Sequence, residues 1–202
     1  MLRLGLTGGI ASGKSAVAAM LREKGFSVLD ADSLAHKLIE PGQPAYSEVL
    51  DEFGQAVLSP DARVDRAKLS AIVFNDRSKL DRLNAIVHPR VAEFVFRQFD
   101  EWQRAGTRDA GFVEAALLIE SGIHKKLDGL VVAWCEPEQQ LQRLLDRGLS
   151  ESEARRRIAA QLPVEEKLLL ATEKIDCSGS LDETRRQVEA LAARLRRSQT
   201  AR

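Results

Sequence analysis

The chain has 202 residues, with 30 basic against 30 acidic side chains, and 44% of it is apolar. That suits one compact domain of the usual ~100–200 residues with room for a small lobe; disorder is excluded, and zero net charge with only 7 Phe, 2 Trp and 1 Tyr argues against a surface built to grip nucleic acid. Two cysteines make no disulfide framework or metal-ligand spacing, no apolar run exceeds Leu130 to Cys135, and MLRLGLTGG lacks a secretory signal's features, so a cytoplasmic protein with no membrane or nucleic-acid partner is expected.

The first element is a buried strand, Leu2 to Thr7, which runs into Gly8-Gly9-Ile10-Ala11-Ser12-Gly13-Lys14-Ser15. This stretch satisfies G-x-x-x-x-G-K-[ST], and the residues after it are helix-compatible, with Val17, Met20 and Leu21 on one face. A second strand, Phe26 to Leu29, leads into Asp30-Ala31-Asp32. About 80 residues of purely helical periodicity follow. Leu34, Ala35, Leu38 and Ile39 mark one helix; Tyr46, Val49, Leu50 and Phe53 mark a second, closed by Gly54. Asp65 caps a third carrying Leu69, Ile72 and Val73, and Pro89 opens a fourth at its first turn. So large a helical insertion is more than a connection needs, and predicts either a moving substrate lobe or a rigid buttress.

Strands return at Gly111 to Ala115 and Gly129 to Trp134, with a weaker one near Lys174 to Asp176 before a closing helix, Leu181 to Arg197. Strand alternating with helix predicts an α/β fold, a parallel sheet covered on both faces. Between the last two strands lies a charged helical stretch, Glu138 to about Ala171, in which Arg143 and Arg147 are spaced to share one helix face.

The glycine motif carries the strongest chemical signal. Gly8 and Gly13 let the backbone wrap so that successive N–H groups point at phosphate oxygens, and the helix N-terminus adds partial positive charge there. Lys14 is placed to reach the β/γ-phosphates, and the Ser15 hydroxyl to ligate Mg²⁺. The motif predicts nucleoside triphosphate binding without saying what becomes of the phosphate. Asp51-Glu52-Phe53-Gly54 ends an amphipathic helix rather than a strand, and Glu173-Lys174-Ile175-Asp176 lacks the Asn or Thr of a guanine-reading motif. Glu114 to Glu120 is a poor version of the paired acids of a helicase or transporter ATPase. A small-molecule kinase remains. If the chain stays extended past the second strand, Asp30 and Asp32 point the same way, and one carboxylate accepts the proton of an attacking hydroxyl; a cap on the following helix is the other reading of Asp32. Arginines on a closing lid would neutralise the transferring group.

The ordered set Gly8 to Ser15, Asp30-Ala31-Asp32, Leu83-Asn84-Ala85 with His88-Pro89, Leu117-Leu118 with Glu120, Arg143 with Arg147, Ala159-Ala160-Gln161 and Ile175-Asp176 with Gly179 resembles the dephospho-CoA kinase family, from about Leu4 to Leu191. The resemblance implies ATP-dependent phosphorylation of the ribose 3′-hydroxyl of dephospho-CoA, with Mg²⁺, on a P-loop core like that of nucleoside-monophosphate kinases. It implies a nucleotide-binding core over 1–32, 106–136 and 172–202, a helical CoA-binding lobe over 33–105 and a lid over 137–171. Asp32, Lys14 and Arg143 are then the expected catalytic residues. Gly8, Gly9, Ala11, Ser12, Gly13, Lys14, Ser15, Ala16 and Arg147 are expected at ATP, and Asp32, His88 and Leu117 at the acceptor. Ala16, Ala116 and Cys177 stand where Thr, Pro and Asn are common in the family. Another small-molecule P-loop kinase, or a non-catalytic nucleotide-dependent switch protein, is the alternative.

Overall fold

The structure, a computed structural model, describes residues 1–73, 76–107 and 109–200, with side chains to residue 197. Two compact units divide it, one of Met1–Asp30 with Phe99–Arg202 and one of Ala31–Gln98.

The first unit is built on five parallel strands. β1 (Leu2–Thr7) lies at the centre, β3 (Ala110–Glu114) and β2 (Ser27–Asp30) on one side, β4 (Gly129–Trp134) and β5 (Glu173–Asp176) on the other, giving the order 2-3-1-4-5. Pairing is in the register Leu6↔Glu114 and Asp30↔Glu114 on one flank and Thr7↔Val132 and Trp134↔Asp176 on the other. β1, β3 and β4 are short, mostly buried apolar runs, whereas the outer strands β2 and β5 are half-buried. The carboxyl ends Thr7, Asp30, Glu114, Trp134 and Asp176 therefore share one edge, where ligands of open parallel sheets bind.

Helices α1 (Lys14–Glu23) and α9 (Leu181–Thr200) carry the stripes Val17, Ala18, Leu21 and Val188, Leu191, Ala192 into a core with Leu4, Leu6, Phe26, Phe112, Val131 and Ile175. Phe26 and Phe112 meet edge to face at 5.6 Å. Each fully buried aliphatic side chain contributes about 1.5–3 kcal/mol, so this cluster dominates the unit's stability.

The charged stretch over 137–171 is not one helix but three: α6 (Pro137–Leu145), α7 (Glu151–Ala159) and α8 (Val164–Leu169). Gly148, at φ 85, closes α6 by donating its N–H to Leu145. The Ser150 hydroxyl starts α7 by accepting the N–H of Glu153.

The second unit is helical: α2 (Ala31–Leu38), α3 (Tyr46–Phe53), α4 (Arg66–Val73) and most of α5 (Arg77–Arg104). Gly54 ends α3 at φ 74, and the Asp65 carboxylate caps α4 by accepting the N–H groups of Ala67 and Lys68 at 2.9 and 3.2 Å. Pro89 does not open a helix as expected; it lies inside the 28-residue α5. Its missing N–H leaves the Ala85 carbonyl without its helical donor; one residue further on, the Arg90 guanidinium donates to the carbonyl of Ile86 while pairing with Glu48. Among the described residues no helix is long and apolar enough to cross a membrane.

Candidate active site

The phosphate loop follows β1 without a break. Gly8 is forced by proximity: a Cβ there would lie 2.1 Å from the carbonyl oxygen of Ala133 in β4. Gly13 is forced by both conformation and packing. It caps α1 at φ 103, where a Cβ would also meet Cys177 at 2.8 Å. Between them Ala11 holds φ 58, and Ser12 closes the turn by donating its N–H to Gly9 at 3.2 Å. Ser12 is 3% exposed, and its hydroxyl has no hydrogen-bond partner among the described residues. A buried hydroxyl so placed calls for an acceptor from outside, and a phosphate oxygen is one.

Lys14 and Ser15 occupy the first turn of α1, where the helix end concentrates positive potential. Ser15 is exposed. The Ala16 N–H is used within that turn, donating to Gly13 at 3.0 Å. Lys14 Nζ lies 3.3 Å from Oε1 of Glu114, and Arg22 Nη2 lies 3.6 Å from its Oε2. Glu114, only 5% exposed, is thus a buried carboxylate compensated by two cations. The sequence shows it only as part of a poor version of a paired-acid motif; its register opposite Leu6, next to the loop, emerges with the folded sheet.

Arg143, in α6, donates Nη1 to the Ala11 carbonyl at 3.2 Å and Nη2 to the Cys177 carbonyl at 2.7 Å, so it bridges the phosphate loop to the end of β5. The expectation that Arg143 and Arg147 share a helix face is corrected: α6 stops at Leu145, and Arg147 stands exposed in the turn beyond it. Gln140 Nε2 and Gln161 Oε1 both reach Ile10 in the loop. Gln161 belongs to a motif quoted above without a role, and Gln140 was missed because an amide carries no reactive chemistry to look for.

Leu117 is half-buried in the turn after β3, and its carbonyl accepts the Ser121 N–H at 2.9 Å. Nearby, Lys167 is fully buried, donating to the Ala116 carbonyl at 2.8 Å and pairing with Glu120 at 2.9 Å. Both thiols are buried. Burial pushes Cys177 up to about 11 and raises Cys135 as well.

In the helical unit, Asp32 is exposed in the first turn of α2. The assumption of an extended Asp30-Ala31-Asp32 does not hold: Asp30 ends β2 and the helix starts at Ala31, so the two side chains are not set alike. His88 is half-buried inside α5, not ahead of a helix, and burial lowers its pKa by penalising the charged ring.

A five-stranded parallel sheet in this order, with a glycine-wrapped loop delivering Lys14 to a helix N-terminus, defines a P-loop protein with a kinase-type core. A family model described as dephospho-CoA kinase matches residues 2–183, and the chain belongs to that family. The dephospho-CoA kinase of Symbiobacterium thermophilum is 48% identical over 188 residues, covering 93% of this chain and 78% of the relative. That of Corynebacterium glutamicum is 43% identical over 196 residues, covering 96% and 98%. A solved structure of dephospho-CoA kinase from Campylobacter jejuni superposes with a TM-score of 0.71 at 27% identity, over 96% of each chain.

Proposed function

We propose that the protein transfers the γ-phosphoryl group of ATP to the ribose 3′-hydroxyl of dephospho-CoA, giving CoA and ADP, the last step of coenzyme A biosynthesis. The observation that carries the reading is the phosphate loop on the central strand, in a chain of this family, with Lys14 and a partnerless buried Ser12 hydroxyl on it.

ATP lies with its β- and γ-phosphates against the backbone from Gly8 to Ser15 and the start of α1. Lys14 leaves Glu114 for the phosphates, and Arg22 stays with the carboxylate so that it is not stranded as a buried lone charge. Ser15 suits Mg²⁺: its hydroxyl is a hard oxygen donor, exposed in the first helical turn, and this ion takes few protein ligands besides phosphates and waters. Held by Ser15, Mg²⁺ would supply positive charge to offset that of the phosphates. Arg143 steadies the loop through Ala11, and the exposed Arg147, on the turn of the lid 137–171, adds positive charge at ATP.

The helical unit 31–98 takes the CoA-type acceptor, with Asp32 and His88 as its contacts and Leu117 as an apolar one from the core. The 3′-oxygen forms its bond to the γ-phosphorus as the bond to the β–γ bridging oxygen breaks. The hydroxyl proton passes to the Asp32 carboxylate. Asp32 lies two residues past the carboxyl end of β2, the end at which such sheets bind ligands. Positioning and electrostatics supply most of the acceleration, and the reaction is assigned to the cytoplasm.

Asp32→Ala and Lys14→Ala test these roles. Each is expected to lower kcat by about 10²–10⁴-fold while the circular dichroism spectrum and melting temperature stay near those of the parent. Full turnover by folded Asp32→Ala protein would remove Asp32 from the mechanism.

A further inference from the structure

Two glutamines converge on a single residue of the phosphate loop, one on each of the two peptide groups that flank its Cα. Oε1 of Gln161, just past α7, accepts the Ile10 N–H at 2.7 Å. Nε2 of Gln140, in α6, donates to the Ile10 carbonyl at 2.5 Å. An N–H donates only to an oxygen and a carbonyl accepts only from a nitrogen here, so Ile10 itself orients both side-chain amides. The loop admits them by lacking side chains: a Cβ on Gly9 would lie 2.5 Å from Gln140 Nε2.

This stretch needs holding. Ala11 sits at φ 58, a left-handed conformation unfavourable for an L-residue, and Ile10 is itself only half-buried. With the Arg143 bond to the Ala11 carbonyl, three polar side chains from outside the loop fix two consecutive residues at its apex.

We propose that Gln140 and Gln161 are positioning residues for the nucleotide: they hold the peptides on either side of Ile10 and thereby set the direction of the loop N–H groups that receive the phosphates. The proposal rests on the ATP-dependent reading above. Gln140 lies on the stem entering 137–171 and Gln161 on the part leading to α8, so both sides of the intervening segment are tied to one loop residue, Ile10. Glu120 holds the second side again, accepting the Leu162 N–H at 3.0 Å and pairing with Lys167. Lid movement is thereby confined to the residues between, α7 and its flanking turns.

The test is ADP binding by calorimetry, KM for each substrate, and amide hydrogen exchange at Ile10. Gln161→Leu and Gln140→Leu are each expected to weaken ADP binding and raise KM for ATP about tenfold, the loss of roughly one well-made hydrogen bond. KM for dephospho-CoA stays within about twofold, and the double variant falls short of the sum of the single ones, because both act on the backbone of one residue. Gln161→Glu keeps an acceptor for the Ile10 N–H and its protection from exchange, whereas Gln140→Glu, with the same added charge, cannot donate to the carbonyl and loses ADP affinity further. Unchanged ADP affinity in both Leu variants, or equal rises in KM for both substrates, overturns the proposal. So does an Ile10 amide that exchanges in the parent protein as fast as an exposed one, a result that needs no variant to fold. ADP binding involves no acceptor. Weakened binding in variants of a protein that fails to phosphorylate dephospho-CoA would therefore keep the clamp and end the reading.

Discussion

Single residues in this protein take their character from what surrounds them. Lys14 and Glu114 are 100 positions apart in sequence, yet the register of β1 and β3 sets them 3.3 Å from each other. Cys177, packed against Gly13, has a thiol held up near 11 by burial, although the Thr184 hydroxyl and Arg143 pull it the other way. At pH 8 about one part in a thousand of it is thiolate, a hundredth of the share in an exposed thiol with the ordinary value of 9.0. Iodoacetamide is therefore expected to leave Cys177 unmodified in the native protein for a time that labels it fully in urea; equal rates in both would refute its burial. Lys14 and Ser15 were legible in the sequence because a motif ties them to a strand and a helix. Glu114, Gln140 and Gln161 were not, because their partners are distant in sequence and only the folded sheet supplies them.

Among the elements, the central strands β1, β3 and β4 were legible to within a residue because short apolar runs leave little choice, while β5, Glu-Lys-Ile-Asp, carries a weaker signal. The helices were less legible where proline misled. Pro89 suits a first turn, but the apolar face over Val87, Val91 and Val95 runs straight through it, and burial of that face outweighs the lost backbone bond. The cap on α4 was read correctly, and Asp65→Ala is expected to cost about 1 kcal/mol in urea unfolding, with Asp65→Asn largely restoring it. His88 gives α5 a pH dependence. Its pKa falls below the ordinary 6.5 on folding because the ring is desolvated. Above pH 6.5 both folded and unfolded chains hold it neutral; as pH drops the unfolded chain takes the proton first, so stability is lost toward acid. Urea midpoints measured from pH 7.5 to 5.5 are expected to fall more steeply for the parent than for His88→Asn. Parallel slopes would contradict this.

At the scale of the molecule, alternation of strand and helix made a parallel sheet legible. The order 2-3-1-4-5 was not, because every crossover is long and the sequence alone leaves the side of each crossover open. The helical character of the insertion was legible, and the structure gathers Ala31–Gln98 into one compact helical unit. Its task as the CoA lobe is part of the proposed function, as is the lid over 137–171. The most direct measurement is a single incubation with ATP, Mg²⁺ and dephospho-CoA, with ADP and CoA quantified by chromatography and the position of the new phosphate established by phosphorus NMR. The account predicts equimolar ADP and CoA, phosphate on the ribose 3′-oxygen, and loss of both products with Lys14→Ala. ADP released at the same rate with or without dephospho-CoA, or phosphate delivered only to a different acceptor, would contradict it.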